Sequence, residues 1–213
     1  MHDFCYVSKK EAAPAKADLL NIIYEVQDIV RNDFTFQFNF IGSSSRNMIT
    51  YDKKSNIGFD FDVNIEVNDD DENFSPEEIR TKIRKTLDNV AKKYGYDYCE
   101  DSTRVLTIKI KDSANAKILH SCDFAIVYNC EDGSQQYIRY NKSNQTYTWE
   151  YQGNGFKTLP AKIDWLKENR YWENLKNYYI DKKNANNNPQ KHSRSIYAEA
   201  INEMCQKQGY FEE

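Results

Sequence analysis

Two stretches of strictly alternating residues constrain this chain more than any other feature of its sequence. In the first, residues 34–40, every second position is phenylalanine and the intervening positions are polar. In the second, residues 59–67, apolar residues alternate with acidic residues and asparagine. Because successive side chains of a strand point to opposite faces, each stretch predicts a half-buried strand with one apolar face. A sheet with such a face needs a second layer to cover it.

Helical periodicity supplies that layer. Apolar residues recur at spacings of three and four within residues 12–32, which predicts an amphipathic helix before the first strand. A second helix follows the acidic loop that closes the second strand. Ser75 and Glu78 fit a capping box there, Pro76 occupies the first helical position, and Gly95 is a plausible C-terminal stop.

The remaining segments complete the predicted fold. We expect two strands at residues 104–110 and 122–128, then a hairpin and a helical tail. The mixture predicts an α+β fold in which a mixed or antiparallel sheet is backed by helices. We divide the chain into a catalytic domain at residues 1–158 and a small helical C-terminal subdomain at residues 159–213. Within the latter, helices are predicted at residues 160–182 and 193–208.

Composition narrows the functional classes. The chain has 213 residues with 33 acidic and 29 basic side chains, a net charge of −4 that argues against a broad nucleic-acid-binding surface. No apolar run is long enough to span a membrane. The five cysteines form no CxxC pair, and the N-terminus lacks a signal-peptide pattern. We therefore expect free thiols, no zinc site and a cytoplasmic setting.

Asp60 and Asp62 are the most informative polar pair. Residues two apart on a strand face the same side, with Cα atoms about 6.6 Å apart. Carboxylates held so close repel one another, and a divalent cation relieves the repulsion. Their oxygen ligands suit Mg²⁺ or Mn²⁺. The alternative is a strand face that is simply solvated.

A glycine-serine turn follows the first strand. Gly42 permits a sharp turn, and the serines after it favour the start of a helix, where backbone N–H groups bind phosphate. Ser43 and Ser44 add hydroxyl groups, and Arg46 could form a bidentate contact with phosphate. The alternative is an ordinary strand-to-helix turn capped by serine.

Asp123 is a lone acid near the start of an otherwise apolar strand. An unpaired carboxylate there would be costly to bury. If this strand lay beside the one that carries Asp60 and Asp62, three carboxylates would surround one pair of metal ions. The alternative is an acid at a solvated edge.

Together these elements resemble the nucleotidyltransferase superfamily typified by DNA polymerase beta. Its pattern is an apolar residue, Gly, then Gly or Ser; a gap; Asp, apolar, Asp or Glu, apolar; and a third acid on a later strand. The Gly-Ser-x-x-Arg run is similar to the oligoadenylate and cyclic-dinucleotide synthase branch. The match covers about residues 33–129. Ser43 and Asp60 are 17 positions apart, longer than the family usually shows, and we expect residues 51–56 to form a loop at the mouth of the site.

The resemblance implies transfer of a nucleoside monophosphate from an NTP to an acceptor hydroxyl, with release of pyrophosphate. It implies that two Mg²⁺ or Mn²⁺ ions are held by the catalytic acids Asp60, Asp62 and Asp123. It also implies that the triphosphate is held by Gly42, Ser43, Ser44 and Arg46.

The acceptor and the activity itself stay open at this point. We expect a small-molecule or nucleotide acceptor rather than a long nucleic acid, and no membrane partner. The preferred base and the oligomeric state are open. Two alternative interpretations compete with an active enzyme. The chain could be a non-catalytic nucleotide- or partner-binding module on the same fold, or an α+β domain whose aspartate spacing is coincidental.

Three weaker features have competing explanations. His120 is close enough in sequence to Asp123 to touch the site, but a structural histidine is the commoner case at such a position. The aromatic residues of the predicted C-terminal helices could stack a base or pack a core. Basic residues near the asparagine-rich segment could meet a triphosphate or an RNA acceptor, or form a solvated face; they are Lys182, Lys183, Lys191 and Arg194.

Overall fold

The structure is a computed structural model that describes residues 2–69, 71–153 and 158–210. It divides into two compact units. The first comprises Tyr6–Tyr51 and Ser55–Gln152. The second comprises the described residues of 1–5, 52–54 and 153–213.

The strands, in chain order, are β1 (Phe4–Tyr6), β2 (Thr35–Ile41), β3 (Thr50–Asp52), β4 (Ile57–Asn68), β5 (Glu100–Asp101), β6 (Leu106–Asp112), β7 (Lys117–Asn129), β8 (Gln135–Asn141) and β9 (Thr146–Tyr151). The helices are α1 (Lys9–Val30), α2 (Gly42–Ser45), α3 (Pro76–Ala91), α4 (Leu159–Glu168), α5 (Trp172–Ala185) and α6 (Ser193–Gln208). A turn of 3₁₀ helix, Lys92–Tyr94, follows α3.

A seven-stranded sheet forms the frame of the first unit. Its order is β2-β4-β7-β6-β5, and the hairpin β8-β9 pairs with the end of β7. β4 and β7 run parallel, whereas β2 with β4, β6 with β7 and β7 with β8 run antiparallel. The predicted α+β class with a mixed sheet is therefore confirmed.

Helices α1 and α3 cover one face of this sheet and supply the predicted second layer. The alternation on β4 is confirmed, because Phe61, Val63 and Ile65 are at most 1% exposed while the residues between them face the other side. Leu19 of α1 and Ile83 of α3 are fully buried in the same core. The opposite face of the sheet is thus left for polar side chains.

Local signals fixed the ends of α3 as predicted. The Ser75 hydroxyl accepts the backbone N–H of Glu78, and the Glu78 carboxylate accepts that of Ser75, which completes a capping box. Gly95 adopts the left-handed conformation and ends the 3₁₀ turn after the helix.

A buried ion pair within the first unit was not predicted. The Arg80 side chain of α3 is fully buried, and it donates hydrogen bonds to Asp101 of β5 and to the carbonyl oxygen of Ile138 on β8. A buried guanidinium is tolerated only when it is paired and hydrogen-bonded in this way. Helical periodicity alone placed this position on α3 without indicating its partner.

The second unit is helical, but the predicted helix over residues 160–182 is interrupted. Helix α4 ends at Glu168 and α5 begins at Trp172, with Arg170 between them in the left-handed region at φ +65°. A residue with that conformation cannot continue an α-helix. Of the described helices, none has the length and apolar character needed to cross a bilayer.

The side chains of the second unit favour the packing alternatives. Trp165 lies against Tyr171 and Tyr210, and Tyr179 contacts Tyr197 edge-on. In the predicted basic stretch, Lys182 pairs with Glu203 and Lys191 with Glu199; Lys183 is 5% exposed. These aromatic residues thus pack against one another, and acidic neighbours offset the charge of both paired lysines.

Candidate active site

The three predicted acids lie on the face of the sheet opposite α1 and α3. On β4, Asp60 and Asp62 alternate with the buried residues of the core and therefore point away from it. The parallel register of β4 and β7 pairs Asp62 with Asp123, and Asp60 with Ser121. The structure thus brings Asp123 directly beside Asp62, on the neighbouring strand.

Asp62 lies in an environment that disfavours its charged form. Burial, together with the neighbouring charges of Asp123 and Asp60, raises its pKa to about 6 from an ordinary value of 3.8, while the charge of Arg46 opposes the shift. Within the described part of the chain no hydrogen bond is donated to its carboxylate. Among the described residues, the ionised form of Asp62 is therefore supported by the charge of Arg46 but by no hydrogen bond.

Asp123 has a different environment. Burial raises its pKa, and a hydrogen bond from Thr107 opposes this effect. That bond runs from Thr107 Oγ1 to Asp123 Oδ1 at 2.6 Å, between register partners on β6 and β7. The charge of Lys109 also lowers this pKa, whereas that of Glu100 raises it.

Asp60 is more accessible than the other two acids. It is exposed on the surface of β4, and Ser121 Oγ donates to its Oδ1 at 3.2 Å. The three acids share a face, but Asp62 and Asp123 form the close pair. Among residues 2–69, 71–153 and 158–210, no group of three or more His, Cys, Asp or Glu side chains is assembled to hold a metal ion.

Gly42 approaches the Asp62 carboxylate more closely than any other residue type could. Its φ of +64° lies in the left-handed region, and a Cβ placed on it would stand 2.3 Å from Asp62 Oδ2. The glycine is therefore required both by its backbone conformation and by the space beside Asp62.

The helix predicted after Gly42 is a single turn. Helix α2 has four residues, so it contributes local N–H groups rather than a long helix dipole. Ser44 is buried, and its hydroxyl donates to the carbonyl oxygen of Ile41 at 2.8 Å. For the Ser43 hydroxyl, the described residues offer no hydrogen-bond partner. Arg46 directly follows the turn, near enough that its charge lowers the pKa of Asp62.

The segment between the glycine-serine motif and the aspartate motif, predicted to form a loop at residues 51–56, is partly a strand. Strand β3 occupies Thr50–Asp52 before the turn that leads into β4.

His120 lies on the core face of β7, where it stacks on Phe59 and its Nε2 lies 3.0 Å from the Tyr96 hydroxyl. It therefore has the structural role, away from the acids.

Sequence reasoning did not identify Thr107 and Ser121 as neighbours of the acids. Both are hydroxyl residues on strands, and nothing in their spacing distinguishes them from other polar positions. Only the register of β6, β7 and β4 shows that each contacts a carboxylate.

Comparisons with solved structures identify the fold. The GTP-bound form of Vibrio cholerae DncV matches with a TM-score of 0.58 at 16% identity, over 87% of this chain and 50% of that one. The 3'-deoxy ATP-bound form gives 0.57 at 16% identity with the same coverage. The cyclic AMP-GMP synthase DncV in complex with the linear intermediate 5' pppA(3',5')pG gives 0.50 at 16% identity, over 87% and 52%.

The chain spans about half the length of these structures. No protein-family model matches it, and no curated protein matches it significantly. At this identity the similarity shows the fold. The chain therefore has the nucleotidyltransferase fold, and the resemblance indicated by its glycine-serine and aspartate motifs is confirmed at the level of the fold.

Proposed function

We propose that the chain transfers a nucleoside monophosphate from an NTP to an acceptor hydroxyl and releases pyrophosphate. The observation that carries this proposal is the registered pair Asp62 and Asp123 on parallel strands, with Gly42 against the Asp62 carboxylate. The same fold in DncV, whose structures are described with GTP and with 3'-deoxy ATP, supports the NTP as substrate.

The three acids suit divalent metal ions by the chemistry of their oxygen atoms, although the described residues do not assemble a three-ligand group. Asp62 is partly buried, repelled by two neighbouring carboxylates and without a donated hydrogen bond in the described residues, so a cation would relieve its strain. Two Mg²⁺ or Mn²⁺ ions would be held by Asp60, Asp62 and Asp123, whose hard oxygen atoms suit them. When bound, such ions neutralise the triphosphate and stabilise the attacking and leaving oxygens.

The protein's own groups position the reactants. The acceptor oxygen forms a bond to the α-phosphorus as the bond from that phosphorus to the bridging oxygen of the β-phosphate breaks. Asp123 accepts the proton of the acceptor hydroxyl, and the electron pair of the broken bond leaves with pyrophosphate. Most of the rate enhancement comes from positioning and charge stabilisation.

The glycine-serine turn holds the triphosphate. The Gly42 turn, the Ser43 hydroxyl and the Arg46 guanidinium are the groups that we assign to it. Ser44 keeps a supporting role, because its hydroxyl proton is already donated to Ile41 and fixes the turn.

A nucleotide hydroxyl is the acceptor that we favour. DncV is described as a cyclic AMP-GMP synthase with a linear dinucleotide intermediate, in which one nucleotide is joined to another.

All five cysteines of the chain are free thiols, which supports a reducing, cytoplasmic setting. A non-catalytic nucleotide-binding module is the second candidate, and it is favoured by the finding that the described residues assemble no group of three metal-ligating side chains.

Pyrophosphate release tests the proposal. The protein is incubated with each of the four NTPs, with Mg²⁺ or Mn²⁺, and with nucleotide or small-molecule acceptors. We expect release by the wild type and its loss in Asp62→Asn and Asp123→Asn. Glu66→Gln is the matched control, an acid on the same face of β4 outside the assigned machinery, and it should keep wild-type release. Equal release by all variants would overturn the assignment, and nucleotide binding without release would favour the second candidate.

A further inference from the structure

The Asp123 carboxylate is held from the side that faces away from Asp62. Strand β7 has β4 on one side and β6 on the other, so Asp123 lies between Asp62 and Thr107 in one row across the sheet. Thr107 is 8% exposed, and the residues on either side of it, Leu106 and Ile108, are fully buried. Thr107 therefore lies in a tightly packed part of the sheet.

This burial fixes the direction of the hydroxyl. A β-branched side chain has few χ1 rotamers, so Thr107 Oγ1 has little freedom once the strand is packed. At 2.6 Å from Asp123 Oδ1 its hydrogen bond is short, as expected for a bond to a carboxylate. The bond occupies Oδ1 and leaves Oδ2 as the oxygen that is available to a metal ion or to an acceptor proton.

Charged neighbours of this contact offset one another. Lys109 Nζ and Glu100 Oε2 form an ion pair at 2.7 Å, and their charges act on Asp123 in opposite directions. Neither of them takes the place of the direct bond from Thr107. By contrast, Ser121 donates to exposed Asp60 over 3.2 Å, a longer contact that solvent can replace.

We propose that Thr107 is a positioning residue for Asp123. Its hydroxyl holds the carboxylate in one orientation, so that Oδ2 faces the reactants in every turnover. This inference rests on the proposed function, because that function assigns Asp123 to metal binding and to the acceptor proton. Outer-sphere partners of this kind change metal affinity or activity about 10–100-fold when they are removed.

The test compares two substitutions in the full chain. Thr107→Val removes the hydroxyl at nearly constant volume, and Thr107→Ser keeps it. We expect Thr107→Val to lower kcat about 10–100-fold and to leave the KM for NTP within about twofold, while Thr107→Ser restores most of kcat. Thr86→Val is the matched control, a buried threonine on α3 far in sequence from the acids, and should keep wild-type kcat.

Binding of Mn²⁺, measured by electron paramagnetic resonance without NTP, gives a readout that is independent of turnover. Thr107→Val should weaken Mn²⁺ binding about 10–100-fold, and Thr107→Ser should not. Thermal melts establish that each variant is folded. Wild-type kcat and Mn²⁺ affinity in folded Thr107→Val would overturn the inference, as would equal losses in Thr107→Val and Thr107→Ser.

Failure of the proposed function gives a different pattern. If the wild type binds Mn²⁺ but releases no pyrophosphate, the proposed function fails, and the affinities of the two Thr107 variants still decide the role of this residue. If the wild type neither binds Mn²⁺ nor turns over, both proposals are overturned.

Discussion

Asp62→Asn is predicted to stabilise the metal-free protein at neutral pH while it abolishes turnover. The ionised carboxylate of Asp62 is partly buried beside Asp123 and Asp60, and these surroundings raise its pKa to about 6 from 3.8. An asparagine side chain has nearly the same volume and carries no charge. The substitution therefore removes a repulsion that a metal ion would otherwise offset.

The magnitude follows from the shift in pKa. Each pKa unit corresponds to about 1.4 kcal/mol, so a change from 3.8 to about 6 makes ionised Asp62 cost about 3 kcal/mol of folding free energy. Because the folded protein holds this proton more tightly than the unfolded chain does, the free energy of unfolding falls as pH rises between about 4 and 6. The full cost is present above pH 6 and is absent below pH 4.

Urea denaturation with EDTA present checks this prediction. At pH 7.5 we expect the free energy of unfolding of Asp62→Asn to exceed that of the wild type by up to about 3 kcal/mol. At pH 4.5 we expect a smaller difference. Asp28→Asn, at an exposed position on α1, is the control and should change stability by less than about 1 kcal/mol at either pH. Equal or lower stability of Asp62→Asn at pH 7.5 would refute the electrostatic reasoning.

Three further predictions concern single positions. Gly42→Ala should lower pyrophosphate release at least tenfold and destabilise the fold by about 1–2 kcal/mol, because its Cβ meets Asp62 Oδ2 in a left-handed conformation; both are read from kinetics and urea melts. Ser75→Ala should cost about 1 kcal/mol of stability through loss of the α3 cap and leave turnover unchanged. Arg80→Ala should cost about 3–5 kcal/mol, because it leaves Asp101 without its buried partner, and a melt at the wild-type temperature would contradict this.

Sequence periodicity predicted the parts of the fold that depend on local chemistry. The alternation within β4 specifies which side chains face the core, and it therefore placed Asp60 and Asp62 together on the opposite face. The capping box at Ser75 fixed the start of α3, because its hydrogen bonds join residues only three positions apart.

Features that depend on strand pairing could not be read from the sequence. The contact of Asp62 with Asp123 joins residues far apart in the chain, and it follows from the parallel register of β4 with β7. The Thr107 hydroxyl became visible as a partner of Asp123 only through the register of β6. The helix that begins at the glycine-serine turn is a single turn, Gly42–Ser45, in which the Ser44 hydroxyl bonds to the backbone.

Following separately labelled phosphates tests the central claim most directly. The protein is given an NTP labelled at the α-phosphate or at the γ-phosphate, together with Mg²⁺ and a nucleotide acceptor. Nucleotidyl transfer predicts that the α-label appears in the acceptor product and the γ-label in pyrophosphate, in equal amounts, with neither found in Asp62→Asn. Transfer of the γ-label to the acceptor, its release as inorganic phosphate, or no consumption of any NTP by the folded wild type would contradict the account.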